Sequence, residues 1–99
     1  MKVNINSVHF KADKKLTTFI SDKVEKLSQM YDGVIGSDVT LKVENSDTPN
    51  NKIAEIRLII RGNDLFAKKH SKTFEEATDV AVEALRRQLT RYKDKIRNR

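Results

Sequence analysis

Four segments of the chain have the residue pattern of β-strands. Apolar and polar side chains alternate over residues 2–7, 39–43 and 54–60, as is typical of strands with one buried face. The tight-turn signal Gly62-Asn63-Asp64 follows the third segment and leads into a short fourth strand near Leu65–His70. The stretch Glu44–Asn51 is rich in turn-forming residues and holds the only proline, so we expect it to be a loop.

Two further segments have the three- and four-residue apolar spacing of amphipathic helices. The first follows Asp13, a suitable N-cap because its carboxylate accepts hydrogen bonds from free N–H groups, and is expected to end at Gly33 and Gly36. Its apolar positions are Leu16, Ile20, Val24, Leu27 and Tyr31. The second begins at a capping box of Thr73 and Glu76 and extends for about 35 Å. Its apolar side comprises Ala77, Ala81, Leu85, Leu89, Tyr92 and Ile96, after Phe74 at the start.

The resulting order β-α-β-β-β-α predicts one α+β domain over residues 1–99. Two helices can cover one face of a four-stranded, mainly antiparallel sheet, which gives a two-layer sandwich. A chain of 99 residues with 37% hydrophobic content has enough apolar surface for one core. It has no cysteine and no apolar run approaching ~18 residues, which excludes disulfides, thiolate metal sites and a membrane span. The N-terminus lacks a secretory signal, so a cytoplasmic location is expected.

The excess of positive charge lies at the C-terminal end. The formal net charge is +6, and residues 1–85 contain thirteen basic and thirteen acidic residues. The last fourteen residues contain one acid, Asp94, and seven bases: Arg86, Arg87, Arg91, Lys93, Lys95, Arg97 and Arg99. This asymmetry indicates a polyanionic partner or an anionic membrane surface.

The helix dipole alone explains only part of this basic run. Cations stabilise the last turn of a helix, which accounts for Lys93, Lys95 and Arg97 but not for Arg86 and Arg87. Like charges four residues apart repel one another, and the row Arg87, Arg91 and Lys95 has no pairing of the Asp22–Lys26 kind to relieve that repulsion. A polyanionic ligand that neutralises the row is the simpler explanation.

The helical geometry places these cations on two flanks of the second helix. At 100° per residue, one flank contains Arg87, Arg91 and Lys95, and the other contains Arg86, Lys93 and Arg97. On the first helix, Lys15, Lys23 and Lys26 lie along one edge of the apolar stripe. If the helices lie side by side, basic flanks of both can form one groove. We therefore expect recognition of phosphates and shape on structured RNA.

Catalysis is not expected. Only His9 and His70 could act as imidazole bases, and neither has ligand-like spacing to another histidine or to a cysteine. No phosphate-binding glycine motif is present, so no catalytic residue, metal, cofactor or small-molecule substrate is predicted. The acidic residues Glu75, Asp79 and Glu83 are expected to form a solvated helix face.

The aromatic residues Phe10, Phe19, Phe66 and Phe74 mostly fall at core-like or element-end positions, which does not suggest base stacking.

The chain resembles the bacterial ribosome hibernation promoting factors, a family that includes the ribosome-associated inhibitor A type. The similar segments are MKVNINS, LTTFISDKVEKLSQM, IRLIIRGNDLFAK and, most specifically, FEEATDVAVEALRRQLTRYKDK. In the last segment the matching residues are Leu85, Arg87, Gln88, Leu89, Arg91 and Lys95. The chain departs from the family pattern at Phe74 and Glu75, where members often have Met-Tyr, and at Ala84, where they often have lysine.

The resemblance implies a double-stranded-RNA-binding-like fold that binds the small ribosomal subunit of the 70S ribosome. It implies a location in the channel for mRNA and for the A- and P-site tRNAs, with both helices on 16S rRNA. By position, the resemblance assigns rRNA contacts to Lys23, Lys26, Arg87, Arg91 and Lys95, and the charge argument adds Arg86 and Lys93. Because the chain ends at Arg99, it resembles the short type. The expected function is translation inhibition during stationary phase or other stress.

Two alternatives of other kinds stay open at this point. The first is a general structured-RNA-binding protein that acts outside the ribosome. The second is an anionic-membrane anchor formed by the last helix, which is disfavoured because alanines and Tyr92 stand where interfacial helices have Trp, Phe and Leu. We therefore predict no membrane partner.

Overall fold

The order of helices and strands agrees with the prediction. The computed structural model describes residues 1–45 and 47–97. In chain order the elements are β1 (Lys2–Ser7), α1 (Lys14–Glu25), a 3₁₀ turn (Lys26–Gln29), β2 (Val34–Val43), β3 (Lys52–Ile60), β4 (Leu65–Ser71) and α2 (Phe74–Arg97).

The strands form one mixed sheet in the order β1-β2-β3-β4. β1 and β2 are parallel, with Lys2 opposite Gly36, because α1 crosses over between them. β2 with β3 and β3 with β4 are antiparallel, so the prediction of a mainly antiparallel sheet is confirmed for two of the three pairings.

The core lies between the sheet and the two helices. Alternate residues of each strand point toward the helices and pack against the apolar faces of α1 and α2. The largest fully buried side chains there include Ile20, Leu27, Leu41, Ile56, Leu58, Ile60, Leu85 and Leu89. Both helices therefore cover the same face of the sheet, as predicted.

Both predicted helix starts are confirmed. The Asp13 carboxylate accepts a hydrogen bond from the Leu16 N–H at 2.8 Å. The Thr73 hydroxyl accepts one from the Glu76 N–H at 3.0 Å, which is one half of the capping box. α1 ends earlier than predicted: the α-helix stops at Glu25, and the chain continues as the 3₁₀ turn.

Gly36 was expected to end the first helix, and this prediction is wrong. Gly36 lies inside β2, next to a register shift between Val34 and Gly36, and β2 begins five residues earlier than the predicted strand. A Cβ atom at Gly36 would lie 3.3 Å from the Lys2 carbonyl oxygen, so glycine permits the close approach of β1. The turn at Gly62 is confirmed by its φ of +87°.

The segment between β2 and β3 is the predicted loop. β2 ends at Val43 and β3 begins at Lys52. Residue 46 of this loop lies outside the described residues.

Phe66 lies near the beginning of a strand, an element-end position of the kind expected, but its side chain is not in the core. It lies within β4, and its neighbours Leu65 and Ala67 point toward the core, so its ring points to the other face of the sheet. Phe66 is 43% exposed. By contrast, Phe10 and Phe74 stack on each other at a centroid distance of 5.0 Å at the beginning of the helical layer.

Candidate nucleic-acid interface

The two helices lie side by side and run in the same direction. Near the beginning of the contact, Lys23 Nζ of α1 lies 3.2 Å from Asp79 Oδ1 of α2. Further along the sequence, the ring of Tyr31, which follows the 3₁₀ turn, meets the ring of Tyr92 of α2 edge to face, with centroids 5.9 Å apart. Because the contacts advance in the same direction along both segments, the helices are parallel, and the last turn of α1 lies beside the first half of α2, well before the C-terminal end of α2.

Acidic and basic residues occupy different halves of α2. Residues 74–85 contain four acidic and no basic residues, whereas residues 86–97 contain six basic residues and one acid. Leu89 is the last fully buried residue of the helix in the described part of the chain, so the basic half extends past the end of the core. Arg99, the last of the seven basic residues, lies outside the described residues.

Three of the predicted site residues are ion-paired within the protein. Lys23 bridges to Asp79 across the helices, while Arg86 Nε and Arg87 Nη1 lie 3.5 and 3.9 Å from Glu83. The expectation that Arg87 has no acidic neighbour is therefore wrong. Glu83 stands four residues before it, in the favourable order for a helical ion pair, and this spacing was available in the sequence.

Four other predicted site residues are not neutralised. Lys26, Arg91, Lys93 and Lys95 have no acidic partner within 4.0 Å in residues 1–45 and 47–97, and Asp22 does not form the expected pair with Lys26. Lys26 instead belongs to the 3₁₀ turn and lines an open, polar depression with Asp22 and Glu25. This leaves positive charge uncompensated mainly at the end of α2.

One flank of α2 faces α1. Arg86 Nη1 lies 4.0 Å from the Met30 sulfur, just after the 3₁₀ turn, and Asp79 on the same flank binds Lys23. Lys93 falls on this flank at 100° per residue. The structure therefore brings Arg86 and Lys93 to the α1 side, where Lys23 also lies.

The opposite flank of α2 faces β4. The Gln88 side-chain amide donates a hydrogen bond to the Phe66 carbonyl oxygen at 3.0 Å. Arg91 and Lys95 lie on this flank by helical geometry, and Arg87 lies on the outer surface of the helix. Of the cations expected to form a groove with α1, Arg86 and Lys93 therefore lie on the side of α2 that faces α1, and the row Arg87, Arg91 and Lys95 lies away from that side.

In the described residues, no helix combines the length and the apolar character needed to cross a membrane. The same part of the chain holds no group of three histidine, cysteine, aspartate or glutamate side chains arranged around a possible metal position.

Proteins of similar sequence are named for ribosome hibernation. The ribosome hibernation promoting factor of Klebsiella oxytoca is 29% identical over 97 residues, which cover 98% of each chain. That of Salmonella typhimurium is 30% identical with the same coverage, and that of Pseudomonas putida is 26% identical over 95 residues, 96% of this chain and 89% of the relative.

Solved structures share the fold at lower identity. A ribosomal subunit interface protein from Coxiella burnetii matches with a TM-score of 0.83 at 16% identity, covering 95% of this chain and 99% of that one. The N-terminal domain of Thermus thermophilus Protein Y matches with a TM-score of 0.81 at 19% identity, covering 93% and 99%. Residues 3–97 match a family of ribosome-related proteins, and the chain therefore belongs to the family described as Sigma 54 modulation protein / S30EA ribosomal protein.

Proposed function

We propose that this protein is a ribosome hibernation factor. It binds 16S rRNA of the small subunit in the channel for mRNA and tRNA at the A and P sites. Bound there, it inhibits translation by steric overlap and preserves idle 70S ribosomes in the cytoplasm during stationary phase or starvation. The nearly full-length similarity to ribosome hibernation promoting factors supports this proposal. The proposed function includes no catalysed reaction.

The observation that carries the proposal is the uncompensated charge at the end of α2. Arg91, Lys93 and Lys95 lie within five residues of one another, beyond the last fully buried residue, without an acidic partner in the described structure. Holding like charges at this spacing costs stability in a free helix. Phosphates of a folded RNA remove that cost, because each contact neutralises a cation and releases condensed counterions.

The paired arginines contribute in a second way. A guanidinium group has five N–H donors. Arg87 contacts Glu83 through one nitrogen, and Arg86 contacts Glu83 and the Met30 sulfur, so most donors of both side chains remain available. Glu83 therefore orients the two side chains while they donate to phosphate oxygens. Lys23 is more constrained, since its ammonium group also lies 5.6 Å from the Phe19 ring centroid, and Lys26 supplies a free cation from the 3₁₀ turn.

Co-sedimentation with vacant ribosomes and with separated subunits tests the proposal. We expect saturable binding to the small subunit that competes with tRNA and weakens with salt, by roughly 0.7–0.9 logarithmic units of affinity per phosphate contact per tenfold salt. Absence of binding at low salt would refute the proposal. Tighter binding to free duplex RNA than to small subunits would favour a structured-RNA-binding protein outside the ribosome.

Charge reversal tests the assigned surface. Changing Arg87, Arg91 and Lys95 to Glu takes the formal net charge from +6 to zero and should abolish co-sedimentation. The matched control reverses three exposed lysines at the other end of the helical layer, Lys11, Lys14 and Lys72, with the same change in net charge. The control should retain most of the binding. Equal losses in the two folded variants would show that total charge, and not the end of α2, determines binding.

A further inference from the structure

The face of the sheet away from the helices presents a second set of side chains. We call it the open face; its central cross-strand row is Asn4, Asp38, Arg57 and Phe66, one residue from each strand. These residues alternate with core residues along their strands, so their side chains point away from α1 and α2.

An aromatic platform stands at the β4 end of this row. The Phe66 ring is 43% exposed, and the Arg57 guanidinium carbon lies 5.3 Å from its centroid. Arg57 is also held by Asp64, with Nη1 and Oδ2 3.9 Å apart. The hydrogen bond from Gln88 to the Phe66 carbonyl oxygen fixes the backbone at the same residue. The ring and the cation are thus positioned before any ligand arrives.

A shallow groove of about 210 Å³ lies beside this row, toward β1 and β2. Ile35 and Ile59 form its apolar part, and Lys2 and Asn4 form its polar rim. Gly36 contributes no side chain, which leaves the groove open, and Ile35 is 52% exposed. A flat apolar group with polar edges fits such a groove.

The positive charge of the open face is only partly compensated. Its strand positions hold four permanent cations, Lys2, Lys42, Arg57 and Lys68, and two carboxylates, Asp38 and Glu55, while Asp64 after β3 pairs with Arg57. Glu55 lies 3.1 Å from Lys42 and 3.9 Å from Lys68, so one carboxylate serves two lysines, and Lys2 has no acidic partner within 4.0 Å in the described residues. The Asp38 carboxylate accepts a hydrogen bond from the Asn4 amide at 3.1 Å. Cations around an exposed ring are the combination that binds single-stranded nucleic acid.

We propose that the open face is a binding site for single-stranded RNA. One unpaired base stacks on the Phe66–Arg57 platform, a neighbouring nucleotide enters the groove at Ile35 and Ile59, and Lys68 and Lys2 contact the flanking phosphates. Stacking on a sheet surface tolerates any base, because each base has an aromatic face. This site lies on the opposite side of the sheet from α2 and does not depend on the function proposed for the basic end.

Fluorescence anisotropy with the full chain and a labelled single-stranded RNA octamer of adenines tests this site. We expect Phe66→Ala to weaken octamer binding about fivefold to a hundredfold, since one stacked base is lost, and Phe66→Tyr to retain it. The matched control is Val80→Ala, because Val80 is an equally exposed apolar residue, 41%, on α2. The control should bind like the unchanged protein. Octamer binding by a folded Phe66→Ala variant within twofold of the unchanged protein would overturn the proposal, as would no octamer binding at low salt.

Amide chemical shifts locate the bound octamer independently. Addition of the octamer should shift the signals of Arg57, Ile59, Phe66 and Lys68. Shifts confined to residues 86–97 of α2 would place the single strand on the basic end and refute a site on the open face. Failure of ribosome co-sedimentation, by contrast, would contradict only the function proposed above.

Discussion

Cations that are free in the structure should dominate the salt dependence of RNA binding, and two matched triple variants test this. The free set is Arg91, Lys93 and Lys95, and the paired set is Lys23, Arg86 and Arg87. Replacing either set by glutamine lowers the formal net charge from +6 to +3 and keeps residues of good helix propensity. The two variants thus have the same formal net charge and differ in whether the removed cations had an acidic partner.

The expected magnitude follows from counterion release. Each free cation that neutralises a phosphate contributes roughly 0.7–0.9 to the slope of log affinity against log salt, so loss of the free set lowers the slope by about 2 to 3. The affinity gap between this variant and the unchanged protein should then narrow roughly 20- to 40-fold between 50 and 200 mM salt. The paired set should change the slope less, because Asp79 and Glu83 already neutralise part of its charge.

The assay is equilibrium binding to purified small subunits at four or more salt concentrations, with circular dichroism as a check that both variants fold. Equal slope changes for the two sets would refute the distinction between free and paired cations. An unchanged slope for the free-set variant would show that these three residues contact no phosphate.

Three stability predictions follow from individual contacts. Thr78→Val should stabilise the protein by about 1 kcal/mol, because the Thr78 hydroxyl is buried without a hydrogen-bond partner in the described structure. Denaturant unfolding measures this change, and a loss of stability would contradict the prediction. Gly33→Ala should lower the free energy of unfolding by about 0.5–1.5 kcal/mol, because its Cβ would overlap the end of the Tyr31 ring and displace that ring from its edge-to-face contact with Tyr92. An unchanged melting temperature would refute the overlap. Lys23 and Asp79 are both partly exposed, so a double-mutant cycle should give a coupling free energy of about 0.2–1 kcal/mol that decreases as salt is added. A coupling free energy of zero at low salt would mean that the pair does not form in solution.

The fold was predictable where the information is local. Apolar periodicity and the two N-caps at Asp13 and Thr73 define both helices without any knowledge of tertiary contacts. Gly36 was misassigned because a glycine after an apolar helical pattern resembles a helix terminator, whereas its role depends on the Lys2 backbone in another strand. The outward direction of the Phe66 ring was also predictable, because alternation along the strand places it on the face opposite to Leu65.

The candidate site was predictable in position but not in its internal pairing. The basic end follows from counting charges, and the Glu83–Arg87 spacing was present in the sequence. The bridge from Lys23 to Asp79 joins residues 56 positions apart and requires the parallel arrangement of α1 and α2. That arrangement also determines which flank of α2 faces α1, and it places the row Arg87, Arg91 and Lys95 on the side away from α1.

The position of a cation along α2 determines whether its removal should affect protein stability as well as RNA binding. Lys95 and Arg97 lie in the last turn, where the helix dipole stabilises a positive charge by about 0.3–1 kcal/mol, so their removal weakens the helix as well as any RNA contact. Arg91 lies well before that turn and has no acidic partner in the described residues, so neither the dipole nor an ion pair accounts for it. Arg91→Gln should therefore reduce ribosome binding with little change in the melting temperature, while Lys95→Gln should lower both. If Arg91→Gln left co-sedimentation unchanged, the uncompensated charge at this point of α2 would have to be explained without RNA.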